Sequence, residues 1–144
     1  MATTTTLTSA ITEMLTEMYA SVASGDPTPW AGRIAQHHPP VGIGTDALEY
    51  WIGHDKLVEV TTAQLHGMSA AGITFTPGQI WADSHGDVAW ATDQPTLRMP
   101  DGTALALRLT VVAVKEDGEL RWTHFHLSAP AAANDEVLDL DLDT

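Results

Sequence analysis

The sequence predicts an α+β domain in which N-terminal helices pack on one face of a curved antiparallel sheet. Apolar residues recur at helical spacing in the first half of the chain, and after Gly72 the spacing changes to two, which is typical of strands. A length of 144 residues is enough for one domain with one core. We therefore expect residues 1–130 to form a single domain and the acidic residues 131–144 to form a tail.

Turn signals divide the first half of the chain into helices and one brief strand. A helix is predicted to begin near Leu7 and to end at Gly25. Thr28 and Pro29 then have the order of a helix cap and a first helical residue, which predicts a short second helix. Residues 41–44 are expected to form a strand.

Capping signals predict two further helical segments. Asp46 and Glu49 have the spacing of a capping box, so a single helical turn is expected over residues 47–51. Asp55 is in place to cap a third helix. The apolar face of that helix is predicted to consist of Leu57, Thr61, Leu65 and Met68.

The second half of the chain predicts an antiparallel meander. The dipeptides Asp101-Gly102 and Asp117-Gly118 are typical of the turns that close tight hairpins. Three longer strands are predicted near residues 87–98, 103–115 and 119–128.

Two symmetric two-residue turns would determine which residues share a face of this sheet. In that register, His124 pairs with Val111 and Trp90 pairs with Ala113, whereas a loop with an odd number of residues would reverse the faces. The resulting face is mostly apolar with a few polar groups, as in a small-molecule pocket. The aromatic and polar residues predicted to share this pocket face are Trp90, Thr92, Gln94, Trp122, His124 and His126.

The opposite face of the predicted sheet carries Phe125 and Leu127, and it is too apolar to be left in water. The helices can cover only one face, so a second subunit is expected to cover the other. The sequence therefore predicts a homodimer formed through the sheet.

Composition and charge exclude several classes of partner. Six basic residues against nineteen acidic ones, a net charge of −13, exclude nucleic acid and anionic membrane surfaces as expected partners. No stretch of about 20 apolar residues is present to span a membrane. The first residues, Met1 to Thr6, lack the features of a signal peptide, so a cytoplasmic location is expected. Without cysteine, a glycine-rich phosphate loop or a basic cluster, no cofactor is expected.

Three segments resemble known proteins. Residues 43–53, which read IGTDALEYWIG, and residues 95–102 resemble bacterial SnoaL-like proteins, and residues 122–130 are similar to the last strand of the calcium/calmodulin-dependent kinase II association domain. Both groups belong to the nuclear transport factor 2-like superfamily, and the resemblance covers roughly residues 7–130. It implies a cystatin-like cone. It does not imply one activity, because this fold hosts isomerases, hydrolases, cyclases, dehydratases and non-enzymatic hubs.

The resemblance also implies where catalytic groups of the enzymatic members would lie. The two aspartates and the arginine of limonene epoxide hydrolases correspond to Thr92, Gln94 and His124, so that triad is absent. The aspartate base of ketosteroid isomerases has no clear equivalent. SnoaL-type polyketide cyclases use a pocket histidine and aspartate, and the predicted register places Asp93 on the face opposite to His124.

His124 is the candidate catalytic residue, because an imidazole among apolar neighbours can titrate near neutrality and carry a proton. The alternative is a core histidine bonded to backbone or water. His124 and His126 could supply two metal ligands, but only His54 or a helix-borne acid could supply the third, so no metal site is expected. The residues expected to bind the substrate are Trp51, Trp90, Thr92, Gln94, Trp122 and His126.

Two classes of function remain open. The first is an enzyme that needs no cofactor and performs acid–base chemistry on a small apolar carbonyl or hydroxyl compound, as an isomerase, cyclase, dehydratase or hydrolase. The second is a non-catalytic module that binds a small-molecule ligand or serves dimeric assembly. A carboxylate within hydrogen-bonding reach of His124 would favour the enzyme.

Overall fold

Helices precede strands along the chain, as the change in apolar spacing predicts. A computed structural model describes residues 6–130, so the predicted acidic tail at 131–144 lies outside the described residues. None of the described helices is long and apolar enough to cross a membrane. The helices are α1 (Leu7–Ser24) and α2 (His54–Ala70), with a 3-10 turn at Ala31–Arg33. The strands are β1 (Val41–Ile43), β2 (Tyr50–Ile52), β3 (Thr74–Thr76), β4 (Trp81–His85), β5 (Val88–Asp93), β6 (Thr96–Arg98), β7 (Ala104–Ala106), β8 (Arg108–Glu116) and β9 (Glu119–Ser128).

The ends of α1 are set by its caps. The Thr6 hydroxyl accepts a hydrogen bond from the Ser9 N–H at 3.1 Å. Gly25 has a φ of +78°, a left-handed conformation, and its N–H donates to the Ser21 carbonyl at 2.8 Å. The predicted end of this helix at Gly25 is confirmed, and glycine suits that position because it has no Cβ to hinder a positive φ.

The predicted cap of α2 is wrong, although its predicted apolar face is confirmed by the burial of Leu57, Thr61 and Leu65. Gly53 is the cap residue and no side chain caps this helix, while Asp55 lies exposed in the first turn.

The two shorter helical predictions are wrong in extent or in kind. The short second helix is only the 3-10 turn Ala31–Arg33, and its cap residue is Trp30 and not Thr28. Residues 47–51 form no helical turn, since the second half of this segment pairs with β1 as strand β2. The capping-box contact itself exists without a helix: Glu49 Oε1 accepts a hydrogen bond from the Asp46 N–H at 2.9 Å.

The strands form two sheets, of six strands in the order β2-β1-β9-β8-β5-β4 and of three strands in the order β3-β6-β7. β1 pairs with β9 in parallel, and the other pairs are antiparallel. We call inner face the side of the larger sheet that carries Ala91, Val111 and Phe125, all buried. The outer face is the side that carries Trp90 and His124. Helix α1 packs against β3, β4 and β5, so the core lies on the inner face.

The loop between β6 and β7 contains three residues instead of two. The Met99 N–H donates to the Thr103 carbonyl at 2.9 Å, which leaves residues 100–102 as the loop. Successive side chains of a strand point to opposite faces of the sheet. One extra residue in the loop therefore shifts the pairing by one residue, so that the side chains of one strand change face relative to those of the other.

This loop reverses the predicted facing of β5. Trp90 pairs with Val112 and not with Ala113, and both Trp90 and Thr92 lie on the outer face. The prediction that they share the pocket face is therefore wrong. Asp93, predicted on the outside, is buried on the inner face.

The hairpin of β8 and β9 begins with the predicted two-residue turn and then changes register at a β-bulge. Ala113 pairs with Trp122, as predicted, but the next pair is Val112 with His124. Thr123 is thus the extra residue, and the alternation of β9 is reversed beyond it.

The bulge allows two aromatic side chains of β9, Trp122 and Phe125, to be buried on the inner face. Regular alternation would have placed Trp122 inside together with His124 and left Phe125 outside. The prediction that His124 and His126 point into the pocket is wrong for this reason, since both lie on the outer face.

Candidate functional site

A cavity of about 520 Å³ lies between α1, α2 and the inner face of the sheet. This volume is within the range of small-molecule sites. Its wall is predominantly apolar, and side chains from both helices, both sheets and the connecting segments contribute to it. The aliphatic part of the wall includes Met18, Val22, Met68, Leu97, Leu105, Leu107, Leu109 and Leu127.

Five aromatic residues complete the apolar wall. Tyr19 stacks on Phe75 with ring centroids 5.9 Å apart, and Trp30 meets Phe125 edge to face at 6.0 Å. Trp51, one of the residues expected to bind the substrate, also lines the cavity. These rings come from α1, the 3-10 turn region, β2, β3 and β9, so the wall depends on the folded arrangement of the whole domain.

Gly42 makes room for part of this wall. It pairs with Trp51 on β2 and with Phe125 on β9. A Cβ at this position would lie 2.7 Å from the Leu57 side chain and 2.8 Å from the Phe125 ring, which is closer than Cβ atoms approach other groups. A side chain here would therefore displace the ring that closes one wall of the cavity.

A hydrogen-bonded pair, Tyr19 and Asp93, lies beside the cavity. The Tyr19 hydroxyl donates to Asp93 Oδ2 at 2.8 Å, and the same carboxylate accepts from the N–H groups of Gly78 and Gln94. Burial raises the pKa of Tyr19 well above its ordinary value, and the bond to Asp93 raises it further. The phenol therefore stays protonated, with its hydrogen held by Asp93.

Glu49 supplies the carboxylate that lines the cavity. Its Oε2 accepts a hydrogen bond from Gln64 Nε2 at 2.6 Å, and its Oε1 accepts from the Asp46 N–H. Gly44 is required beside it, because a Cβ there would lie 2.8 Å from the carboxyl group. Among the lining residues that the structure describes, none is a lysine, arginine or histidine.

Of the seven predicted site residues, Trp51 lines this cavity and the other six do not. Trp122 is buried in the core, where its indole N–H donates to the Pro29 carbonyl at 3.2 Å. Thr92, Gln94 and His126 border a separate, polar depression on the outer face.

The remaining two, Trp90 and His124, lie on the outer face without lining either hollow. Burial lowers the pKa of His124, and the neighbouring His126 lowers it further. Within the described residues no carboxylate forms a hydrogen bond with His124, so the contact that would favour acid–base catalysis is absent there. A catalytic role for His124 stays a prediction without support from its position.

Sequence reasoning missed Glu49 and Gln64 as cavity residues. The spacing of Asp46 and Glu49 predicts only a capping contact for Glu49, and that contact does exist. Gln64 could have been found from α2, because it follows Thr61 by three residues and precedes Met68 by four, and these positions share a helical face. Within residues 6–130, no group of three or more histidine, aspartate or glutamate side chains is arranged to hold a metal ion.

Two helices on a curved sheet, enclosing an apolar cavity, give the domain the cystatin-like, nuclear transport factor 2-like fold. Residues 11–132 match the SnoaL-like domain, so the chain belongs to the SnoaL-like domain family. The resemblance identified from the sequence is confirmed. No curated protein matches the chain.

Solved structures share this fold at low sequence identity. A nuclear transport factor 2-like protein of unknown function from Pseudomonas putida superposes with a TM-score of 0.79 and 19% identity, covering 99% of this chain and 100% of that one. A candidate dehydratase of the nuclear transport factor 2-like family from Streptomyces avermitilis superposes with a TM-score of 0.73 and 13% identity, covering 87% of this chain and 96% of that one. A candidate calcium/calmodulin-dependent kinase II association domain from Xanthomonas campestris superposes with a TM-score of 0.65 and 19% identity, covering 85% of this chain and 86% of that one.

Proposed function

We propose that this SnoaL-like protein binds a small, largely apolar molecule in the cavity between its helices and sheet. The observation that supports the proposal is the cavity itself, about 520 Å³ in volume, with an aromatic and aliphatic wall and few polar groups. A space of this size filled only with solvent would leave a large apolar surface wet, and a ligand of suitable size removes that surface from water.

Binding without turnover is favoured over acid–base catalysis. The described wall contains no histidine, and the proton of Tyr19 is held by Asp93. The remaining candidate, Glu49, already accepts two hydrogen bonds that fix its carboxylate. Acid–base chemistry on a carbonyl or hydroxyl compound would be the better proposal if a product accumulated in the presence of a bound compound.

The proposal is tested by filling the cavity. Leu107 is buried and lines the cavity, so Leu107→Trp should occupy part of the free volume. We expect the wild-type chain to bind the neutral fluorescent probe N-phenyl-naphthylamine with an increase in emission, and Leu107→Trp to lose at least tenfold in affinity, since binding is steeply sensitive to lost contact and volume.

Leu48→Trp is the matched control, because it introduces the same side chain at a residue that is exposed and does not line the cavity. It should bind the probe as the wild type does. Equal binding by all three proteins, or no binding by the wild type, would contradict the proposal.

We also propose that the protein forms a homodimer through the outer face of the sheet. Five of the large apolar side chains that the described chain exposes lie on this face, two on the edge strand β2 and three on β4 and β5, and exposed apolar surface of this kind is typical of an interface. They are Tyr50, Ile52, Trp81, Val88 and Trp90.

A further inference from the structure

The charge of the cavity is not balanced by the residues around it. Glu49 is half-buried in a wall to which the described residues contribute no cationic side chain. The hydrogen bonds to its carboxylate come from neutral donors, the Gln64 amide and the Asp46 N–H. A partly desolvated carboxylate is stabilised by any positive charge brought close to it. The charge of the wall therefore favours a cationic ligand.

The rest of the wall suits a cation that has an apolar body. Aromatic ring faces attract ammonium groups, most strongly when water is excluded, and indole rings do so best. Trp30 and Trp51 both line the cavity, together with Tyr19, Phe75 and Phe125. A strongly hydrated metal ion would gain little from such surfaces, whereas an organic ammonium gains from both the rings and the burial of its carbon atoms.

We infer that the ligand of this cavity is an apolar amine, with its ammonium group held at Glu49 and its carbon skeleton against the aromatic and aliphatic wall. This inference rests on the proposed function and names the ligand class of the same site. Each oxygen of the Glu49 carboxylate has one hydrogen bond from the protein and keeps a lone pair that can accept from the ammonium. Gln64 is a positioning residue, because the hydrogen bond from its amide fixes the orientation of the Glu49 carboxylate in the wall.

Charge also argues against an anionic ligand. A carboxylate or phosphate in the cavity would meet Glu49 and would find no cationic side chain among the described residues of the wall. The net charge of −13 acts in the same direction at longer range, since it attracts cations and repels anions as they approach.

The inference is tested with three compounds that share one apolar body and differ in the charge of the head group: phenylbutylamine, phenylbutanol and phenylbutanoate. Binding of each to the full chain at neutral pH is measured by titration calorimetry. We expect the amine to bind on the order of tenfold more tightly than the alcohol, because hydrogen bonds to a charged group are the stronger ones, and the acid to bind more weakly than both.

Glu49→Gln tests the effect of the charge separately from that of the apolar wall, because it removes the charge and nearly preserves the size of the side chain. This variant should lower the affinity for the amine far more than that for the alcohol, so that the preference for the amine is lost, and continued binding of the alcohol shows that the cavity still forms. Glu59→Gln is the matched control, because Glu59 lies exposed on α2 and does not line the cavity. It should keep the preference for the amine.

The outcomes distinguish the inference from the function on which it rests. Equal binding of amine and alcohol by the wild type, tightest binding of the acid, or a preference for the amine that persists in Glu49→Gln would overturn the inference while leaving a ligand-binding cavity. Failure of all three compounds to bind would overturn the proposed function as well.

Discussion

The two faces of the larger sheet use large and small side chains in opposite ways. On β5, the inner face carries Ala89 and Ala91, and the outer face carries Trp90 between them. The alanines are fully buried because α1 packs against this strand, and small side chains allow a helix to approach closely. Size alone therefore does not indicate which face of a strand is buried. The neighbouring element decides it.

On β9 the opposite arrangement holds, since the inner face carries the large residues Trp122 and Phe125. None of the described helices contacts this strand as extensively as α1 contacts β5, and the rings fill the space instead. The helices thus contact one half of the sheet extensively and the other half much less. The cavity lies against the second half, where Phe125 and Leu127 line it.

The largest expected effect comes from removing an inner-face ring. Trp122→Ala should lower the free energy of unfolding by about 3–5 kcal/mol, because it leaves a void in the fully buried core. Chemical denaturation followed by circular dichroism measures this change.

Trp90→Ala is the matched substitution on the outer face, where the indole is 39% exposed. In dilute solution its effect should be within about 1 kcal/mol. Any further loss should depend on protein concentration, because it would report subunit association and not core packing. Similar losses for both variants at all concentrations would refute the distinction between the two faces.

The end of β8 is covered in a third way, because a loop and not a helix buries Glu116 there. Its carboxylate accepts the N–H groups of Gln36, His37 and His38 at 2.8, 2.9 and 2.8 Å, and Nδ1 of His38 at 2.8 Å. Burial raises the pKa of Glu116, but these hydrogen bonds, that from Gln36 foremost, outweigh it and lower the pKa from 4.5 to about 2.

A lowered pKa in the folded state means that the ionised carboxylate stabilises the fold. This contribution, on the order of 2–3 kcal/mol, should be complete above pH 4.5 and should be lost as the pH falls toward 2. Glu116→Gln should remove it at pH 6, and the difference in unfolding free energy between wild type and variant should shrink as the pH falls. Glu13→Gln, at an exposed position of α1, is the control. A difference that stays constant with pH would show that ionisation of Glu116 does not contribute.

The elements of the fold were predictable because each has a signal spread over many residues. The helical face of α1, its stop at Gly25 and the existence of the long strands all follow from such patterns. The facing of the strands was not predicted, because each error came from a single residue. One extra residue in the loop at 100–102 and the bulge residue Thr123 exchange the faces without changing the length or composition of a strand.

The bulge nevertheless leaves a local signal in the sequence. The apolar positions of β9 are spaced by three and then by two along the sequence, at Trp122, Phe125 and Leu127. Regular alternation cannot place all three on one face. If apolar burial is given more weight than alternation, this spacing predicts the bulge and turns His124 and His126 outward. The cavity carboxylate at Glu49 was harder to predict, because its position depends on the pairing of β2 with β1.

The smallest expected effect on stability, and a direct test of the outer face, comes from Trp81→Asp. The Trp81 side chain is 71% exposed, so a single folded chain should lose less than about 0.5 kcal/mol. A charge at a self-complementary interface is present twice and faces apolar surface, so the proposed dimer should dissociate. Light scattering coupled to size-exclusion chromatography should give the mass of one chain for Trp81→Asp and of two for the wild type. Leu48→Asp, at a residue 87% exposed outside the strands, should remain dimeric. A wild type with the mass of one chain would contradict the proposed dimer.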